Sequence, residues 1–274
     1  MAALVVALSP FSPDSAGAQE AVTVPNFWDP KRHVDTPRTD AIPSIRFLTT
    51  DNFPPFNFID SHGRLAGFHI DLARALCAEF KINCTIQARP FADLIDALAE
   101  GHGDAIIAGI SPDRTERGKV EFSDVYMRLP ARFVARSAEA GMEISPDTLA
   151  GVPVAVVAHT AHEAYLTTFF AEADIRSVRT IDDMRTALKS GEVTLFFADG
   201  LSSSFWIAGD SSENCCAFAG GPYLEPRYFG NGFSIAVNRG NGLLRGILDY
   251  GLRRLYEKGV FAELYLRYFP VGFY

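Results

Sequence analysis

A chain of 274 residues, 48% hydrophobic and 21% charged, has the apolar content for one large domain or two moderate ones and is too ordinary in charge to be broadly disordered. Its formal net charge is −8 and no basic run occurs, which argues against a dedicated nucleic-acid surface, since phosphate binding draws on concentrated Lys and Arg. That charge does not restrict small ligands, which respond to local groups.

The N-terminus carries a short apolar run, Ala2-Ala3-Leu4-Val5-Val6-Ala7-Leu8, and small residues at Ala16-Gly17-Ala18. This pattern predicts a signal peptide over residues 1–18, cut before Gln19, although the basic n-region is missing. No later apolar run approaches the ~20 residues needed to span a bilayer, so the mature chain is expected to be soluble. Residues 19–43 are rich in Pro, Asp, Thr and Arg and read as an extended lead-in, pinned to the surface by Phe27-Trp28.

A β-branched and aromatic strand is predicted over 45–49. Pro54 and Pro55 lack backbone donors, so an aromatic loop follows at Phe53 to Phe58, then a turn at Asp60 to Gly63. Leu72, Leu76, Cys77 and Phe80 form one face of a helix over 70–80. Residues 84–88 read as a strand, and Phe91, Leu94, Ile95 and Leu98 as the stripe of a helix ending at Gly101. Residues 104–108 are a buried, parallel-type strand.

Further strands are predicted at 132–136, 152–157, 193–198 and 234–237. Ser145-Pro146 reads as an N-cap with Pro at N1, opening a short helix to Gly151. Helices are also expected from Thr160, from Thr180, over 243–256 and over 260–268. Repeated β-α-β units imply mainly parallel sheets with helices on both faces.

Four cysteines are present. Helix, short turn and strand can bring Cys77 and Cys84 within bridging distance, the alternative being two reduced thiols. The adjacent Cys215 and Cys216 are expected to be two small strand residues facing opposite sides, rather than a vicinal bridge. His159-x-x-His162-Glu163 is not the order that places two imidazoles on one helix face, so no metal site is expected there, and nothing implies a cofactor.

Two segments carry a specific resemblance. Thr50-Asp51-Asn52-Phe53-Pro54-Pro55-Phe56-Asn57-Phe58 followed by Gly67-Phe68-His69-Ile70-Asp71-Leu72 is one. The run from Asp104 to Tyr126, with Thr115-Glu116-Arg117 ahead of Phe122-Ser123-Asp124-Val125-Tyr126, is the other. Together they resemble the family 3 extracytoplasmic solute-binding proteins of amino-acid ABC importers, across about residues 45–269. The resemblance implies a two-lobed α/β fold of the type II periplasmic-binding-protein kind, with lobe 1 over 44–128 plus 231–274, lobe 2 over 129–230, and two crossings near 127–130 and 228–232.

It also implies an exported, periplasmic monomer that captures an L-amino acid in the interlobe cleft and delivers it to a membrane permease. The arginine before the Phe-Ser-Asp segment would grip the ligand α-carboxylate, which suits a permanently charged planar fork. Arg117 fits that position, and Arg114 is its competitor because the spacing around them is shifted by one residue each way; two solvated arginines is the bland reading. Ser111, an N-cap before Pro112, and Gly109 offer a hydroxyl and a carbonyl at the same strand end.

In lobe 2, Thr160 matches a threonine that meets the carboxylate, with His159 where the family has glycine. Asp199, ending the strand Leu195-Phe196-Phe197-Ala198, would receive the α-ammonium or simply cap the next helix. Phe53 and Phe91 would lie against the ligand side chain, or pack in the core, and Asp51 would meet a polar or basic end, or cap a turn. Relatives on this fold include enzymes such as cyclohexadienyl dehydratase, for which His159, His162 and Glu163 are the acid/base candidates, and a partner-docking subunit without a ligand is a third possibility.

Overall fold

The computed structural model describes residues 22–28, 36–39, 41–112, 118–269 and 272–274. The predicted signal segment 1–18, much of the lead-in, and Arg114 and Arg117 lie outside these residues.

The first sheet is built on β1 (Ser44–Thr49), whose sequence alternates so that Ile45 and Phe47 enter one core and Leu48 the other. A three-stranded ribbon follows: β2 (Asn52–Phe53), β3 (Asn57–Ile59) and β4 (Leu65–Ala66), the latter two joined by the predicted turn, where the Gly63 amide bonds the Asp60 carbonyl at 3.0 Å. Helix α1 (Phe68–Phe80) ends in a left-handed residue, Lys81, and leads to β5 (Asn83–Ala88). Phe91–Asp93 is a single 3-10 turn, where the sequence predicts the start of a helix; α2 (Leu94–Ala99) follows it, then β6 (Ala105–Ile110) and β7 (Val120–Phe122).

The chain then crosses to a second sheet at β8 (Ala131–Arg136). There follow β9 (Pro153–Val157), α3 (Ala161–Phe169), β10 (Asp174–Val178), α4 (Ile181–Ser190), β11 (Leu195–Asp199), α5 (Gly200–Ala208) and β12 (Cys216–Tyr223). It returns through the short α6 (Pro226–Phe229) to β13 (Ser234–Asn238), α7 (Gly242–Glu257) and α8 (Val260–Tyr268). The strand orders are β5-β1-β6-β13-β7 and β10-β9-β11-β8-β12. Each sheet is mainly parallel with one reversed strand, β13 in the first and β8 in the second.

Both sheets are covered on two faces, which is why their central strands are continuously apolar. In β11, Leu195 and Phe197 join the cluster under α3, while Phe196 packs with Met184 and Leu188 of α4 and Trp206 of α5. In β6, Ile107 faces α1 and α7 while Ile106 faces α2. Trp28 of the lead-in buries to 7% exposure against Tyr256 and Phe261, with ring centroids at 5.1 and 5.5 Å, and so pins that segment as its aromatic pair predicts.

The two crossings, residues 123–130 and 224–233, are tied together by the Met127–Phe233 bridge, in which the Phe233 amide reaches the Met127 carbonyl at 2.7 Å. Gly232 is required beside it: its φ is +90° and an added Cβ would sit 2.5 Å from that same carbonyl oxygen.

Two expectations are corrected. The segment 145–151 folds as successive turns rather than a helix; the Thr148 hydroxyl bonds the Glu143 carbonyl at 2.8 Å, and the chain turns at Gly151 (φ +70°) before a second turn can form. Cys215 and Cys216 are bonded to each other rather than facing opposite sides of a strand. The reason is local: Glu213 and Asn214 both have φ +55°, and Cys215 lies outside the strand that Cys216 opens, so the two are not successive residues of one pleat. Cys77 and Cys84 are bridged, with Cα atoms 6.2 Å apart.

Candidate functional site

β5, β1 and β6 run parallel, so their C-terminal ends share one edge of the first sheet. That edge carries Asp51 just beyond β1, Phe91 just beyond β5, and Gly109 and Ser111 at the end of β6. The second sheet has the same property: β9 and β11 are parallel, placing Thr160 and Asp199 together at their C-terminal edge. The crossings join these two edges. Ala131, where the chain enters the second sheet, pairs with Asp199, and Ser234, where it returns to the first, pairs with Ile110. Ligands of open α/β sheets collect outside such carboxyl ends.

On the second sheet the site is a cavity of about 200 Å3, with Thr160, His162, Phe197, Asp199 and Ser202 among its lining. Thr160 caps α3: its Oγ1 accepts from the Glu163 amide at 3.3 Å and donates to the Val157 carbonyl at 2.7 Å. Asp199 caps α5, its Oδ1 accepting from the Ser202 amide at 2.7 Å. Both readings of Asp199 are compatible, because the cap uses one carboxylate oxygen and a second remains on the group.

His159, standing where the resemblance calls for glycine, adopts φ +62°, the left-handed region that glycine enters without cost. Its side chain is exposed and its amide donates to Glu163 Oε2 at 2.7 Å. Glu163 also bonds Ser177, and this hydroxyl with the His159 amide holds its carboxyl below the usual range. His162 points the other way and lines the cavity, tilted against Phe229 at 5.2 Å. Burial lowers its pKa, and nearby Asp199 partly opposes the shift.

On the first sheet Phe53 is 36% exposed and stacks on Phe56 at 4.9 Å. Gly109 has φ +75°, and an added Cβ would lie 3.0 Å from Phe53 Cε1, so the strand end and the aromatic ring lie close together. Phe91 is 58% exposed on its 3-10 turn, which removes core packing as its role. Asp51 is exposed and Ser111 half-buried. The structure therefore brings Thr160 with Asp199, and Phe53 with Gly109. Arg114 and Arg117, the carboxylate-binding alternatives, lie outside the described residues.

His162, one of the three acid/base candidates, is the one that lines this cavity, whereas sequence reasoning missed the buried polar cluster around His69 beneath Phe53. The signal for His69 was present: it lies on the same face of α1 as Leu72 and Leu76, where an imidazole needs partners. Among the described residues no group of three or more His, Cys, Asp or Glu is assembled as a metal site, and no helix is long and apolar enough to cross a membrane.

The model for bacterial extracellular solute-binding proteins, family 3, matches residues 45–271. A protein of Escherichia coli (strain K12), provisionally named ABC transporter arginine-binding protein 2, is 30% identical over 231 residues, 84% of this chain and 92% of its own. The L-arginine-binding protein of Pseudomonas aeruginosa is 27% identical over 224 residues, 81% and 86% of the two chains. The lysine/arginine/ornithine-binding periplasmic protein of Escherichia coli is 26% identical over 235 residues, 84% and 89%. Among solved structures, the L-cystine solute receptor of Neisseria gonorrhoeae in its unliganded open conformation superposes with TM-score 0.71 at 17% identity, over 84% of this chain and 94% of that one. An ancestral cyclohexadienyl dehydratase gives 0.72 at 19%, over 87% and 99%. These two carry the fold alone.

Proposed function

Since the chain belongs to the bacterial extracellular solute-binding proteins of family 3, we propose that it is a periplasmic receptor that closes on an L-α-amino acid and hands it to the permease of an ABC importer. The lobes would be residues 44–128 plus 231–274 and residues 129–230, with the ligand between their facing strand edges. The observation that carries this reading is the convergence of Thr160 and Asp199 on one cavity at the carboxyl edge of the second sheet. A hydroxyl at a helix start and a carboxylate beside it are suited to the two charged ends of a zwitterion.

Arg117, with Arg114 as the register alternative, would hold the carboxylate, and Asp199 would take the ammonium. Phe53 and Phe91 would cover the ligand side chain, with Gly109 and Ser111 at the strand end beside it. Asp51 favours a basic side-chain end, in keeping with the arginine, lysine and ornithine named in three relatives. The test is calorimetry against free amino acids, with arginine, lysine, ornithine and histidine first. Micromolar or tighter binding of a cationic amino acid supports the proposal. Silence across all of them favours a partner-docking subunit.

The enzyme reading rests on His162, a neutral imidazole in the same cavity as Asp199. A dehydratase needs such an acid or base in reach of substrate. Turnover of prephenate or arogenate that disappears in His162→Ala is the result that would replace the receptor assignment.

A further inference from the structure

Below the cleft edge of the first sheet lies a polar chain sealed from solvent. His69, at 0% exposure, opens α1; its Nδ1 is 2.7 Å from Asn57 Oδ1 and its Nε2 is 2.9 Å from the Tyr126 hydroxyl. Asn57 is also fully buried and its Nδ2 donates to the Thr50 hydroxyl. At the other end the Tyr126 oxygen faces the backbone of Gly109. The chain thus runs from Thr50, the residue before Asp51, to Gly109, through a single imidazole.

The donor pattern settles the tautomer. Asn57 spends an N–H on Thr50, so its Oδ1 is the acceptor facing His69, and Nδ1 carries the proton. Nε2 is then an acceptor, and the Tyr126 O–H donates to it. A neutral imidazole satisfies every member of the chain with one proton per bond, which a buried network requires to be stabilising. The apolar surroundings agree: Phe56 stacks on the ring at 4.8 Å, Phe233 lies at 6.0 Å, and the built Cβ of Gly109 would be 3.6 Å from His69 Cε1.

We propose that His69, as the neutral Nδ1–H tautomer, is a positioning residue for the ligand cleft, fixing the end of β1 that carries Asp51 and Phe53 against the end of β6 that carries Gly109 and Ser111. It touches no ligand itself. It acts through Asn57 and Thr50 on one side, Tyr126 and Gly109 on the other, and through the stack His69–Phe56–Phe53, whose outer ring is 36% exposed at the cleft. The assignment of a ligand to this cleft rests on the receptor reading above, whereas the coupling of the two strand ends does not.

The experiment combines imidazole 15N NMR, backbone amide shifts and calorimetric titration with L-arginine and L-lysine on the full chain and two variants. Tyr126→Phe deletes one hydroxyl with little change of volume; His69→Asn keeps a donor near the Nδ1 position and loses the link to Tyr126. Wild type should show a protonated Nδ1 and an unprotonated Nε2 at neutral pH. Both variants should move the amide resonances of Asp51 and Gly109 and weaken binding by about tenfold or more, the scale of one buried hydrogen bond broken. The reverse tautomer, or variants that lower the melting temperature while the Asp51 and Gly109 amides and the affinity stay put, would overturn the proposal. If wild type gives no heat with any amino acid, the receptor reading falls, and the amide shifts alone decide whether His69 couples the strand ends.

Discussion

Asp199 shows how one side chain can serve fold and ligand at once. Its Oδ1 caps α5 through Ser202, and its position in the cavity wall is where an ammonium would be met. The two roles separate by substitution. Asparagine caps a helix about as well as aspartate, so Asp199→Asn should leave the melting temperature nearly unchanged. It removes the charge, however, and an unpaired ammonium in a closed cleft costs about 2–5 kcal/mol, or roughly 30-fold to several thousand-fold in Kd. Equal affinity for Asp199→Asn and wild type would return organic acids to the ligand list. Arg117→Ala and Arg114→Ala, titrated in parallel, decide which arginine holds the carboxylate. His159 invites the opposite experiment. A left-handed residue with a Cβ carries strain that glycine relieves, partly offset by the freer unfolded chain, so His159→Gly should stabilise the protein by up to about 1 kcal/mol in urea unfolding.

At the scale of elements, α4 shows how far local sequence reaches. Thr180 and Asp183 form a reciprocal capping box, each side chain meeting the other's amide at 3.1 Å. Thr180→Ala should cost about 1 kcal/mol, read by chemical denaturation. The Cys77–Cys84 bridge closes a short loop between α1 and β5, and its removal by paired serine substitution should cost about 2–3 kcal/mol under oxidising conditions. Under a reducing agent wild type and the variant should converge, because both then lack both bridges, and the change in the variant alone on reduction reads the contribution of Cys215–Cys216. The 145–151 segment marks where such reasoning stops. Its Ser-Pro start was a correct cap signal, but Thr148 turns its own hydroxyl onto Glu143 and the chain is needed at Gly151 for β9.

For the whole molecule, pH is the sharpest probe of the buried polar chain. Burial lowers the His69 pKa from 6.5 to about 3. The unfolded chain therefore takes up a proton below pH 6.5 that the folded chain refuses, and the stability present above 6.5 is lost as pH falls, at roughly 1.4 kcal/mol per unit toward pH 3. The titratable group facing the ring is the Tyr126 phenol, itself raised by burial, and Asn57, Phe56, Phe68 and Phe233 supply no charge. His162, also lowered by burial, adds in the same direction. Urea unfolding between pH 7 and pH 5 should show this slope, and His69→Asn should flatten it from a lower starting stability. The topology makes a second whole-molecule prediction. Two crossings joined at Met127–Phe233 allow hinge closure, so the radius of gyration by solution scattering should fall on adding the bound amino acid.

The sequence by itself determined the central strands and the main helices, though not β7, β10, β12 or the ribbon of β2 to β4. β-branched and aromatic residues marked β1, continuous apolar runs marked β6 and β11, and cap residues at Thr160 and Thr180 set the starts of α3 and α4. These are local signals, written within a few residues of where they act. The family motifs then named Asp51, Phe53, Thr160 and Asp199 as a set. What only the tertiary structure decided is which groups meet across long chain separations: Asp199 with His162 in one cavity, and Thr50 with Gly109 through Asn57, His69 and Tyr126. No periodicity encodes those pairings. They follow from strand order, in which β6 lies beside β1 and β11 beside β9, and from burial, which makes each polar group depend on the one partner the fold delivers.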